Sequence, residues 1–188
     1  MLKLERLFDG VYSCDIEFDS YVPVDLKINY TFKLQMSTVK KKKEEASNIF
    51  CILIGTHKSV LELYVESDTG RIVSVTLVHV DKCKRRLGTI ERSISAVVIN
   101  KIPGIGVDVK TEKGNGFWVY VNYENDFEVI LDEIGLLIVF QEMKADRVVT
   151  QMNDFAVVFD ERLELSKIFI KFSDKYAFAF LKKVLELE

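Results

Sequence analysis

The sequence predicts a mainly β domain: an antiparallel meander in a curved sheet, a sandwich or a partly closed barrel, with an amphipathic helix at the C-terminus. Three observations predict it. Val22 to Met36 alternates apolar and polar residues with strict period two over fifteen residues, the pattern of a strand with one buried and one wet face. Short polar or glycine-bearing turns separate further strand-sized apolar runs, which fits a meander better than βαβ units. Proline occurs only twice, and a proline inside a strand removes a ladder donor.

The elements follow in chain order. Asp9-Gly10 separates Leu2–Phe8 from Tyr12–Phe18, and this dipeptide favours the positive φ of a tight hairpin turn; a short helix through Leu4, Leu7 and Phe8 is the rival. In Val22–Met36 the residues Val22, Leu26, Tyr30 and Leu34 belong to the buried side. At about 3.3 Å per residue the run would reach roughly 50 Å, so it must bend or serve two sheets. Ile49–Ile54 is a strand-sized apolar run, and Ser67-Asp68-Thr69-Gly70 joins Val60–Val65 to Ile72–Val80, with the glycine in the left-handed position. Thr89–Ile99 fits either a helix or a strand, and its β-branched content tilts it toward strand.

Pro103-Gly104-Ile105-Gly106 reads as a turn into Val107–Thr111, and Gly114-Asn115-Gly116 leads on to Phe117–Tyr123. Glu124-Asn125-Asp126 then turns that strand into Phe127–Leu131. Leu136–Phe140, Val148–Thr150, Phe155–Phe159 and Ile168–Phe172 complete the meander. Leu61–Val78 and Trp118–Val129 share a loose pattern of Tyr-Val, polar turn and apolar strand, so a duplicated half-domain stands beside the reading of two generic hairpins. Asp174 can cap a helix from Lys175, with Ala177, Phe180, Leu181, Val184 and Leu185 on its apolar face. Lys182 and Lys183 lie near its end, where they complement the dipole.

Composition sets the class. Hydrophobic residues make up 48% and charged residues 29% of 188, which excludes a disordered chain and allows one well-buried domain spanning residues 1–188. No apolar run approaches the roughly 18 residues of a membrane span, and Met1–Phe8 lacks the apolar core of a signal peptide. The cytoplasm is the default, with no membrane partner. Cys14, Cys51 and Cys83 are odd in number and widely spaced, so each reads as a small hydrophobe within a strand.

Motif by motif, the chemistry stays unassigned. His57 and His79 lack a sequence-local partner, and no GxSxG or HExxH segment is present. Pro103–Gly106 lacks the third glycine of a dinucleotide fingerprint, and Lys113–Gly116 lacks the lysine-serine end of a phosphate loop. Paired carboxylates such as Asp132-Glu133 and Asp160-Glu161 are too common to signal glycoside or metal chemistry. The basic clusters Lys40–Lys43 and Lys82, Lys84, Arg85, Arg86 read as solvated loops. Without interleaved aromatics on an acidic chain, they argue against nucleic acid as a partner. No catalytic residue, metal ligand or cofactor is therefore assigned.

Charge patterning carries the functional expectation. Residues 1–113 hold 18 basic against 15 acidic side chains, and residues 114–188 hold 8 against 14. No lysine or arginine lies between Lys113 and Lys144. The candidate partner-binding residues are Glu124, Asp126, Glu128, Asp132 and Glu133, with Trp118 and Tyr123 as aromatic anchors. Such a one-signed stretch would steer a basic protein partner.

The hairpin Leu61-Glu62-Leu63-Tyr64-Val65-Glu66-Ser67-Asp68-Thr69-Gly70-Arg71-Ile72-Val73-Ser74-Val75-Thr76-Leu77-Val78 resembles a strand–turn–strand element of small bacterial proteins of the polymorphic-toxin immunity type. The resemblance covers about a tenth of the chain and carries no functional residue across. It implies a cytoplasmic, non-catalytic protein that neutralises a toxin by surface complementarity. The alternatives are a β module binding a small ligand or phosphate, and an enzyme whose site leaves no local motif.

Overall fold

A computed structural model describes residues 2–31, 49–56, 58–90, 96–107, 118–140, 146–152 and 154–187. Along the first half run β1 (Lys3–Phe8), β2 (Val11–Glu17), β3 (Val24–Thr31), β4 (Ile49–Thr56), β5 (Ser59–Glu66) and β6 (Ile72–His79). A 3-10 turn (Lys82–Lys84) leads into β7 (Arg85–Leu87), followed by β8 (Val97–Ile99), β9 (Ile102–Gly106) and β10 (Trp118–Tyr123). The chain ends with β11 (Glu128–Asp132), β12 (Gly135–Val139), β13 (Asp146–Met152), β14 (Phe155–Asp160), β15 (Leu165–Lys171) and α1 (Lys175–Val184).

Period-two patterning builds the layers. In β3, Val24, Leu26 and Ile28 are buried while Lys27 and Asn29 are exposed, so the alternation holds from Val24. Val22, expected on the buried side, precedes the strand and lines the outer groove, while Pro23 is buried. The strands form three open sheets: six strands in the order β10-β4-β5-β6-β3-β2, seven in the order β7-β11-β12-β15-β14-β13-β8, and the pair β1-β9. Inner-face residues of both large sheets, among them Leu26, Leu63, Leu136 and Ile168, share one hydrophobic cluster. Phe18, just after β2, meets Phe172, just after β15, edge to face with ring centroids 5.7 Å apart.

One connectivity occurs twice. Strands β2 to β6 lie as β4-β5-β6-β3-β2, and β11 to β15 lie as β13-β14-β15-β12-β11, antiparallel throughout. A parallel strand flanks each unit, β10 beside β4 and β8 beside β13. Turns at matching places hold left-handed residues, Gly70 at φ +72° and Leu163 at φ +59°. Each turn hooks a strand of the small sheet: Ile105 donates to the Gly70 carbonyl at 2.7 Å, and Leu4 donates to the Leu163 carbonyl at 2.8 Å. After the last strand of each unit an aspartate caps a helical turn, Asp81 accepting from the Cys83 amide and Asp174 from the Tyr176 amide.

Several expectations give way. Asp9-Gly10 makes no hairpin, because β1 pairs with β9 and β2 with β3. Gly10 serves close packing instead, since a Cβ there would stand 2.8 Å from Ile102 Cδ1. Pro103–Gly106 is a buried strand rather than a turn; a Cβ on Gly104 would lie 2.6 Å from the Thr69 carbonyl, so its glycine marks backbone approach. Glu124–Asp126 links two different sheets, so Trp118–Val129 is not a hairpin and not the partner of Leu61–Val78 in the repeat. Arg85 and Arg86 belong to a strand, not a loop, and Cys83 is exposed in the 3-10 turn rather than buried in a strand.

The helix forms as expected, with Asp174 at its cap, but Phe180 does not join its buried side. Ala177, Leu181 and Leu185, spaced four apart, occupy that side, and Phe180 remains 37% exposed. The hairpin across Ser67–Gly70 agrees with the sequence reading, and of Thr89–Ile99 only Val97–Ile99 is strand, Thr89 and Ile90 lying outside any element. His57, Lys40–Lys43, Phe32–Met36, Glu91–Ser95 and Gly114–Gly116 lie outside the described residues.

Candidate functional site: an open acidic sheet face

Because side chains alternate, burying the apolar rows of β2, β3, β5 and β6 sends their polar rows to the opposite face. Register aligns those rows. Glu17 pairs with Asp25, Asp25 with Thr76, and Thr76 with Glu62. The next row runs Asp15, Lys27, Ser74, Tyr64 and Cys51. Most of these residues line a groove of 680 Å³, in which the described residues place the carboxylates of Glu17, Asp19, Asp25 and Glu62 and one cation, Lys27.

Hydrogen bonds hold this floor in shape. Thr76 donates to Asp25 Oδ1 at 2.8 Å, and Tyr64 donates its phenol to Glu62 Oε2 at 2.7 Å. Asn29 donates to Asp15 Oδ2 at 2.9 Å, and Lys27 pairs with Asp25 at 3.3 Å. The hydrogen bond to Asp25, reinforced by the charges of Asp25, Glu17 and Asp15, raises the Lys27 pKa. Burial, then the hydrogen bonds with Glu62 and Cys51, hold the Tyr64 phenol protonated well above its ordinary range. A concave surface lined mainly by one sign of charge concentrates its field on an incoming cation.

The acidic stretch singled out from sequence is divided. Lys84 pairs with Asp126 at 2.7 Å, because β7 lies parallel against β11 and brings the second basic cluster beside it. The hydrogen bond to Asp126, followed by the charges of Asp126 and Glu128, raises the Lys84 pKa. Asp132 caps backbone, accepting from Ile90 at 2.8 Å and Glu133 at 2.6 Å. Glu124 and Glu133 are exposed and Glu128 is half-buried. Trp118 opens β10 opposite Ile49, while Tyr123 ends it opposite Ile54 and packs against the core. The groove carboxylates were missed although two alternating runs, Tyr12–Phe18 and Val22–Met36, flank the short link Asp19–Pro23; pairing those runs puts Glu17 beside Asp25.

Nucleophiles are poorly poised. Burial, then Asp154 and Asp15, pushes the Cys14 thiol up to about 11, and burial likewise raises Cys51, which disfavours the reactive thiolate. His79 is exposed at the end of β6. Among the described residues, no three His, Cys, Asp or Glu side chains gather as a metal site, and no helix is long and apolar enough to cross a membrane. The chain matches no protein-family model, and a search of curated proteins finds no match.

Proposed function

We propose that this chain is a non-catalytic protein-binding protein that receives a basic protein partner on the open face of its six-stranded sheet, in the manner of an immunity protein neutralising a toxin by surface complementarity. The carrying observation is the groove floored by β2, β3, β5 and β6, where, among the described residues, four carboxylates accompany one lysine. A basic surface entering it replaces water around Glu17, Asp25 and Glu62 with charge-assisted hydrogen bonds, and the field speeds encounter before contact. The partner can be isolated from its native cell with the tagged chain as bait, purified, and titrated into isotopically labelled protein. Shift changes concentrated at Asp15, Lys27, Glu62, Tyr64 and Thr76 are expected; a footprint confined to Glu124–Glu133 or to α1 refutes this face.

A further inference from the structure

A second groove, of 520 Å³, opens where the β2–β3 loop, the β4–β5 turn, the exit from β6 and the end of α1 meet. Ser20, Tyr21 and Pro23 form one rim, and Tyr21 is 88% exposed. Besides the Tyr21 phenol, the titratable groups along the walls are Lys58, His79, Asp81, Lys82, Arg85 and Glu186. The Arg85 side chain is only 8% exposed, and its guanidinium donates to Glu186 Oε2 at 3.2 Å. Lys82 pairs with the same oxygen. Among the described residues, three cations and two carboxylates thus line this groove, Lys82 and Arg85 meeting on Glu186 and Lys58 facing Asp81.

Those carboxylates differ in how firmly they are held. Asp81 accepts from the Cys83 amide at 3.1 Å and from its thiol at 3.3 Å, caps the 3-10 turn, and lies 3.9 Å from Lys58. Glu186 follows α1 at φ +48°, where its amide and that of Leu187 close the helix on the Lys183 and Lys182 carbonyls at 3.1 and 2.9 Å. Its side chain is 59% exposed and, among the described residues, is tied only to Lys82 and Arg85. A change of side-chain rotamer at Glu186, with the end of α1 left intact, would carry its carboxylate off Lys82 and Arg85. What then remains is a sunken guanidinium beside the Lys82 ammonium, with Lys58 on the same groove wall, a donor set matched to a phosphate dianion.

We propose that this groove is a binding site for a phosphate-bearing small anion, held by Lys58, Lys82 and Arg85, and that Glu186 is an internal occupant which the ligand displaces. The site uses none of the residues of the acidic sheet face, so the two readings stand or fall separately. Calorimetric titration of the full chain with inorganic phosphate at low salt tests it. Glu186→Gln, which keeps the shape and removes the competing charge, should bind about fivefold or more tightly than wild type. Lys82→Gln, at an exposed position, and Arg85→Gln should each abolish that binding. Phenyl phosphate binding more tightly than inorganic phosphate, with the gain lost in Tyr21→Ala, would make the ligand an aromatic monoester; equal binding would make it the free anion. Glu186→Gln binding no more tightly than wild type, or Lys82→Gln binding as well as wild type, overturns the proposal.

Discussion

Single residues fix the turns through backbone geometry that sequence chemistry can anticipate. Gly70 sits at φ +72°, and a Cβ there would lie 2.4 Å from the Ile105 carbonyl. Gly70→Ala should therefore cost about 2 kcal/mol or more, read as a lowered midpoint in chemical denaturation. Leu163, the matching residue of the second unit, already adopts φ +59°, so Leu163→Gly should change stability by no more than about 1 kcal/mol. The tie at Glu186 gives a pH dependence. Its hydrogen bond and charge contact with Lys82, then Arg85, lower the carboxyl pKa from 4.5. A carboxylate depressed on folding stabilises the fold above its unfolded pKa and loses that contribution as pH falls through the depressed value. Direct titration of the Glu186 carboxyl by NMR should give a midpoint below 4.5 that returns toward 4.5 in Lys82→Gln.

At the scale of elements, local pattern predicts what a segment is better than where it goes. Ser67–Gly70 and Asp9-Gly10 both carry hairpin chemistry, yet only the first joins neighbouring strands. The difference lies in partners distant along the chain: β1 meets β9, far along the sequence, and no local preference encodes that choice. The helix shows the same limit. Its cap and length were legible, but the five apolar positions could be rotated several ways, and Ala177, Leu181 and Leu185 occupy the core. Leu181→Ala should cost about 2–5 kcal/mol in equilibrium unfolding. Phe180→Ala should cost less, about 1–2 kcal/mol, because that ring stays 37% exposed and leaves no enclosed cavity. Equal losses for the two variants would place the helix in a different rotation.

Across the whole molecule, the repeated five-strand unit explains why two large open sheets arise from one chain. Matching turns at Gly70 and Leu163 anchor opposite strands of the small sheet, which thereby ties both units together. Sequence reading sensed a repeat but aligned the wrong segments, since strand order is invisible to periodicity and the units share little beyond alternation and the Asp81 and Asp174 caps. Charge was misplaced for the same reason. The stretch from Glu124 to Glu133 lacks a basic neighbour in sequence, but Lys84 reaches Asp126 across the β7–β11 ladder. Glu17, Asp25 and Glu62 are scattered along the chain and meet only through register.

The central claim is that this assembled face, rather than the Glu124–Glu133 stretch, receives the basic partner. Its most direct test is the association rate of the purified partner at low and physiological salt, compared between the double variant Glu17→Lys/Glu62→Lys and the control Glu124→Lys/Glu133→Lys. The groove variant should associate about tenfold more slowly at low salt, with the deficit shrinking as salt rises, while the control stays within about twofold of wild type. A groove variant that associates at the wild-type rate at low salt would contradict the account.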